Sequence, residues 1–329
     1  MKAKADLHNH LKTRHNVAEA YTFEEILDLG RNRLGPGGIL GIVNFADRRY
    51  EQVRDMPGYV RRDLGCGFYV PANKLLVVKG EEVPTKDGHI LVFGVAGDKH
   101  ISLGRSLEET IKEVKDANGI IIADHPFVGL WEGVGPHLEK HEKVLSDFDA
   151  IEVYNGEAAT AKIPFITQDP NVNALNFYRK KKRDFQHLGA ITTSDGHSAA
   201  EVGRSYTEMN IPEDCEKIFL DPKTTKDTLT DILRSAIHSS TPEDGIRRNA
   251  LIRTLMHVGV VMWDHKIRNG DPSMKARESI EALMLAESFE RTRRSYSPEA
   301  YQKHREALEH HGLTIGLPTR HDVIENYRR

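Results

Sequence analysis

Near the amino end, Asp6-Leu7-His8-Asn9-His10 sets two imidazoles at positions i and i+2. On an extended chain such side chains share one face, about 7 Å apart along the backbone, and both can turn toward one ion. Neutral imidazole suits zinc, iron and manganese. Asp6 stands where a carboxylate would brace the strand or orient a ring. Alone, the pair reads as well as two exposed strand histidines. The chain holds 17 histidines, however, and His8, His10, His15, His89, His125 and His197 fall at or beside the ends of short apolar runs. Carboxylates keep them company. Glu82 closes the Gly80–Val83 stretch after LLVV, and His89 opens the next apolar run. Asp124-His125-Pro126 follows GIIIA, and Thr193-Ser194-Asp195-Gly196-His197 follows AITT. Glu152, inside AIEVYNG, reads as a bracing or salt-bridging carboxylate. Polar groups of this kind are costly to bury unless a cation satisfies them, so the pattern points to a metal site.

The runs Gly38–Val43, Leu75–Val78, Ile90–Val95, Gly119–Ala123, Ala150–Tyr154 and Ala190–Thr193 are short and rich in Ile and Val, as strands covered on both faces are. Amphipathic stretches lie between them. Thr22–Leu29 opens with Thr22 and Glu25 as a capping box, and Ser106–Ala117 repeats the device with Ser106 and Glu109. Val172–Phe185 and Thr225–His238 are further helical candidates. The alternation predicts a parallel α/β sheet, open or closed into a barrel, with working residues at the carboxyl ends of its strands. Gly35–Gly38 lacks the spacing of a phosphate loop and reads as a tight turn before a strand. From about residue 241 the text turns helical, with Leu251, Leu255, Val258 and Met262 as an apolar stripe. Residues 241–329 are therefore expected to form a helical extension to a domain of residues 1–240. Such helices could cap the mouth or pair two copies into a homo-oligomer.

The order DLHNH, GEEV with GHILVFGV, ADHPF, then TSDGH leading into GRSYTE resembles the polymerase and histidinol phosphatase (PHP) family over roughly residues 3–240. The resemblance implies a distorted (β/α)7 barrel and two, or at most three, divalent ions of zinc, manganese or iron. It makes His8 and His10 ligands of one ion, Glu82 the bridging carboxylate and Asp195 the completion of the first site. His125 and His89 would serve the second ion, and His197 a third. His15 stands five residues after His10, where family members carry Asp or His. One departure is plain. Asn44 and Phe45 occupy the place of a TDH-type motif that helps hold the third ion, and Asp47 lies two residues beyond. Phe45 cannot ligate, which favours two ions over three.

Two divalent ions roughly 3.5–4 Å apart can clamp substrate oxygens and acidify water, which suits hydrolysis of a phosphomonoester or of a nucleotide or cyclic phosphodiester. Arg204, Arg48 and Arg49, then Arg105 and Lys162, are the candidates for the cation that meets the developing charge. His197 or His15 would protonate the leaving oxygen. Net charge is −3, which argues against nucleic acid and leaves a small-molecule phosphate ester as the expected partner. Lys180–Arg183 reads as a solvated helix end. No apolar run of membrane-spanning length and no leader-like segment occurs, and the cysteines are only Cys66 and Cys215, so a reducing cytoplasm is expected. Two other readings stay open: a nuclease acting on nucleic-acid ends, and a non-catalytic scaffold that kept the barrel.

Overall fold

Alternating Ile and Val runs that are apolar on both faces need cover on both faces, and the chain meets that need by curling one sheet. A computed structural model describes residues 1–11, 23–45, 48–55, 60–129, 132–160, 169–197 and 201–247. The strands are β1 (Lys2–Asp6), β2 (Ile39–Asn44), β3 (Arg62–Asp63), β4 (Gly67–Val70), β5 (Leu75–Thr85), β6 (Gly88–Phe93), β7 (Ile120–Ala123), β8 (Ala150–Asn155), β9 (Gly189–Thr193), β10 (Tyr206–Asn210) and β11 (Gly245–Ile246). The helices are α1 (Phe23–Leu34), α2 (Arg49–Arg54), α3 (Leu107–Asp116), α4 (Gly135–Lys140), α5 (Pro170–Lys181), α6 (Cys215–Leu220) and α7 (Lys226–His238).

Nine strands run in the order β11-β10-β1-β2-β5-β6-β7-β8-β9, with β3 and β4 to one side. The sheet is nearly closed. Asn9 bridges Gly196 in parallel, His10 N–H donates to the Gly196 carbonyl at 2.8 Å, and Gly196 N–H donates to the His8 carbonyl at 3.2 Å. Below that bridge Thr192 N–H donates to Thr207 Oγ1 at 2.7 Å, tying β9 to β10.

The expectation of a uniformly parallel sheet is corrected. β6 pairs antiparallel to both β5 and β7, and β10 pairs antiparallel to β1. The reason lies in the connection: only Lys86 and Asp87 separate β5 from β6, and so tight a turn can join only antiparallel strands. The hairpin also lengthens LLVV into an eleven-residue strand, which carries Glu82 beyond the expected run.

Strand parity sorts the core. Leu76, Val78, Leu91, Ile122, Ala150 and Ile191 join Leu229, Leu233 and Ile237 of α7, which packs against one end of the interior. Glu82 shares the parity of Leu76 and Val78 and so faces the same interior. The opposite faces of β6, β7 and β8 pack on α3 and α5 through Ile90, Val92, Ile121, Ile111 and Phe177. Leu40, Ile42 and Val77 pack on α1 and α2. The capping box of α3 is present, with Ser106 Oγ accepting from Glu109 N–H at 3.3 Å and Glu109 Oε2 accepting from Ser106 N–H at 3.1 Å. Lys180–Arg183 is not a wholly solvated end: Lys181 is buried against Glu142, and Lys182 Nζ donates to the Gln186 and Leu188 carbonyls. Cys66 and Cys215 are free and buried. Residues 248–329, which include the apolar stripe, and the N-cap Thr22 lie outside the described residues, while Gly245–Ile246, at the start of the expected helical extension, form β11 on the sheet edge. Among the described residues no helix is long and apolar enough to cross a membrane.

Gly41 is where β2 meets the segment that carries the two amino-terminal histidines. A Cβ there would stand 2.0 Å from the Leu7 carbonyl oxygen, closer than any contact can hold. Gly41→Ala is therefore expected to force the two segments apart and cost about 1–3 kcal/mol, read as a lowered Tm together with weakened metal binding. An unchanged Tm would refute this close approach.

A candidate metal centre at the barrel mouth

The segments beyond the carboxyl ends of β1, β7 and β9, together with the far half of β5, bring their polar residues to one buried place. His8 is fully buried and His10 nearly so. They lie just past the end of β1, in extended chain held by the Asn9–Gly196 bridge. Their Nε2 atoms face each other at 3.0 Å. Glu82 Oε2 stands 2.9 Å from His10 Nε2 and 3.8 Å from His8 Nε2. Asp195 Oδ1 stands 3.3 and 3.5 Å from the same two nitrogens. On its other side Glu82 Oε1 meets His89 Nδ1 at 2.6 Å and His125 Nε2 at 3.5 Å. Glu82 thus sits between two histidine pairs, as a shared carboxylate would.

Three of the resulting groups have one donor atom per residue, all within 4.8 Å of one another: His8, His10 and Glu82; Glu82, His89, Asp124 and His125; and His10, Asp195 and His197. His197 stacks on His10 with ring centroids 4.6 Å apart. Its Nδ1 is 3.0 Å from Glu157 Oε2. His15, Asp47 and Lys162 lie outside the described residues.

Glu152 and Asp6, read from the sequence as bracing carboxylates, are joined here by Asp124 and Glu157. Glu152 is buried; its Oε1 is 3.2 Å from His8 Nδ1, and its Oε2 accepts from His125 N–H at 2.7 Å and Asn155 Nδ2 at 3.0 Å. A proton on His8 Nδ1 donated to Glu152 leaves the Nε2 lone pair facing the cluster. Asp124 reaches His8 Nδ1 at 3.4 Å and His125 Nε2 at 3.3 Å. Its place directly before His125 was the available hint. Glu157 had only its nearness to the end of β8. Asp6 is a brace: its oxygens accept from Ser194 N–H at 3.0 Å and Gly203 N–H at 2.6 Å, tying β1 to the loop that carries Asp195 and His197. Asp195 itself adopts φ +48°, a left-handed conformation uncommon outside glycine.

Asn44 has a structural task. Asn44 Nδ2 donates to both Glu51 oxygens at 3.0 and 3.3 Å, and its Oδ1 accepts from Tyr50 N–H at 2.8 Å. The residue fastens α2 to β2. Arg49, on that helix, is buried and donates to the His10 carbonyl at 3.3 Å. Arg48 and Arg204 are exposed. Arg105 pairs with Glu113 at 3.3 Å.

Electrostatics follow from burial. Burial opposes charge on His8, but Asp195 and Asp124 outweigh it and hold the imidazole well above its ordinary pKa. His125 is raised in the same way, with Asp124 and Glu82 outweighing burial. Burial drives His10 well below its ordinary value, with His197 and Arg49 adding to it. Burial would raise Glu82, yet His10, His125 and His8 hold it well below the carboxylate range. Burial lifts Asp195 to about 6 and pushes Asp124 well above its usual value. Asp195 Oδ1, both Asp124 oxygens and the Nδ1 atoms of His10 and His125 are buried without a hydrogen-bond partner. Converging lone pairs and orphaned oxygens in one buried place are what divalent cations satisfy, so the donor set fits them.

The chain is 30% identical over 154 residues to the uncharacterized protein MJ1587 of Methanocaldococcus jannaschii, a match that covers 46% of this chain and 81% of that protein. It belongs to the family of that protein. No protein-family model matches it. Among solved structures it is similar to the lesion-specific endonuclease PfuEndoQ of Pyrococcus furiosus, with TM-score 0.48, 15% identity and coverage of 74% of this chain and 57% of that one. It is also similar to Endonuclease Q in complex with a 27-mer duplex bearing an abasic lesion at the active site, with TM-score 0.45, 16% identity and coverage of 74% and 58%. A third neighbour is PsfC of Pseudomonas syringae PB-5123, with TM-score 0.49, 14% identity and coverage of 79% and 97%. The chain thus spans under two thirds of the endonuclease chains. The expectation that set nucleic acid aside is corrected by these neighbours, two of which are endonuclease structures. Net charge is a sum over the whole surface and does not decide what one mouth can hold.

Protein purified without a histidine tag is expected to carry two equivalents of zinc, manganese or iron, and a His10→Ala, Asp195→Asn double variant to lose them. Elemental analysis decides, and full retention in the variant would refute the assignment. Loading must displace protons, because His8 and His125 are held above the ordinary imidazole value and Asp195 titrates near 6. Metal affinity should therefore rise as pH increases from about 5 to 8, with net proton release at pH 6. Calorimetry in two buffers of different ionisation enthalpy counts those protons. A count of zero would contradict this protonation scheme.

Proposed function

We propose that this protein is a divalent-metal-dependent phosphoesterase. The observation that carries the reading is Glu82, buried between the His8–His10 and His89–His125 pairs at the mouth of the barrel. In this reading His8, His10, Glu82 and Asp195 hold one cation, and Glu82, His89 and His125, with Asp124 beside them, hold a second. Bound cations supply the positive charge that polarises a phosphoryl oxygen and acidifies a water near neutral pH.

The chain's own groups do the rest. Glu152 keeps His8 in the tautomer that turns Nε2 toward the cluster. Arg49 brings a fixed positive charge beside His10, where it favours the negative charge that develops on phosphorus oxygens. Arg204, exposed on the loop after His197, is the second candidate for that contact. His197, with Nδ1 against Glu157, is oriented to pass a proton to the leaving oxygen. The substrate class is the phosphate ester, and phosphodiesters of nucleotides and nucleic acid belong to it.

The test is a hydrolysis screen of metal-loaded protein against phosphomonoesters, cyclic and linear nucleotide diesters, and single- and double-stranded DNA and RNA. Activity on at least one class is expected, abolished by chelation and restored by the native metal. Arg49→Gln should lower kcat/KM about a hundredfold with metal content unchanged. Metal-loaded protein inert toward every ester would overturn the reading and favour a binding scaffold.

A further inference from the structure

A second group of donor atoms lies outside the mouth, where the turn between β5 and β6 meets the outer helices. Asp87 belongs to that turn, Glu108 to the first turn of α3, and His137 to α4. One donor atom from each of the three lies within 4.8 Å of the others. His141 follows one helical turn after His137, and the two rings stand 4.5 Å apart at 32°. Histidines at i and i+4 share a helix face, the spacing that lets two imidazoles reach one ion.

The backbones of these segments are pressed together. His89 N–H donates to the Glu132 carbonyl at 2.7 Å, just before α4, and a Cβ on Gly88 would stand 2.5 Å from the Val134 nitrogen. Asp87 Oδ2 accepts from Leu107 N–H at 3.0 Å, which fixes the start of α3 and with it Glu108. Asp87 Oδ1 stands 3.2 Å from His137 Nδ1, and Glu108 Oε1 stands 3.3 Å from Nε2. Yet that Nε2 is buried without a hydrogen-bond partner. The Glu108 oxygen therefore lies beside the direction in which Nε2 points, not on it. Two atoms that ligate one zinc ion at about 2.0–2.2 Å stand in this relation, roughly 3.3 Å apart and both aimed at a third point. A carboxylate at Nδ1 fixes the tautomer that leaves Nε2 free to ligate. Charge agrees: two carboxylates and a neutral imidazole balance a divalent cation, whereas an imidazolium would leave one negative charge over. Imidazole among the donors favours zinc and its neighbours over calcium and magnesium, which take oxygen.

We infer that His137 and Glu108, with His141 beside them and Asp87 orienting the ring, form a binding site for a zinc-type divalent cation separate from the mouth. An ion there clamps α3 and α4 to the turn that joins the strand of Glu82 to that of His89. The Glu108 side chain is 57% exposed, so the site exchanges with solvent and fills from added zinc rather than keeping its ion through purification.

Calorimetric titration of the purified protein with zinc tests this, on wild type, Glu108→Gln, His137→Gln, Asp87→Asn and Glu139→Gln. Glu139 is exposed on α4 and serves as the control. Wild type and Glu139→Gln are expected to take up one equivalent more than Glu108→Gln and His137→Gln. Asp87→Asn should keep that equivalent but weaken it about 10–100-fold. Glu108→Gln changes an exposed helical side chain and decides the matter alone if His137→Gln fails to fold. The comparison holds whatever the mouth carries, so loss of the mouth ions would not be mistaken for loss of this one. Hydrogen exchange then locates the ion: zinc should slow the amides of residues 135–141 in wild type and leave them unchanged in Glu108→Gln. Equal uptake by wild type and Glu108→Gln, or equal exchange in the two, overturns the inference and leaves only ion pairs around His137.

Discussion

Carboxylates that converge in a buried place repel one another unless positive charge is shared among them. Glu82, Asp195, Asp124 and Glu152 are all buried beside His8, His10 and His125, and hydrogen bonds from other segments fix part of the arrangement. Glu152 takes hydrogen bonds from the His125 backbone and Asn155. Asp6 ties the Asp195 loop to β1. Gly41 lets the strand beside His8 and His10 approach Leu7 to backbone contact. Small backbone features far from any chemistry thus decide where the ligand atoms stand, and rigid support of that kind lets a site bind cations without reorganising first.

At the end of the second strand a polar side chain serves the fold. Asn44 turns its amide to Glu51 and the Tyr50 backbone and so anchors α2. The anchored helix delivers Arg49 to the His10 carbonyl. Phe45 turns an apolar ring over the histidines. The end of β2 and the start of α2 thus bring a fixed positive charge and an aromatic ring beside His10.

Much of the site was legible in the sequence, because strands that end in His, Asp or Glu announce themselves by an apolar run broken at a polar residue. His8, His10, Glu82, His125 and Asp195 were readable in that way. Asp124 and Glu157 were harder, since a carboxylate next to a histidine is common and only distance in space gives it a partner. The hairpin of β5 and β6 was missed for a different reason. Apolar runs buried on both faces look alike whether parallel or antiparallel, and direction is decided by the length of the connection.

The sequence by itself determined the inventory: which side chains can ligate, which runs become strands, and that helices, one of them capped at Ser106, follow some of them. Those are local properties, set by residue type and spacing. Tertiary structure alone decided that Glu82 lies between two histidine pairs, that His8 has Glu152 behind it, and that Arg49 and Phe45 border the same mouth. These are relations between segments many residues apart, fixed by closure of the sheet at Asn9 and Gly196. No local pattern encodes that closure, because it depends on how the twist of every strand adds up around the barrel.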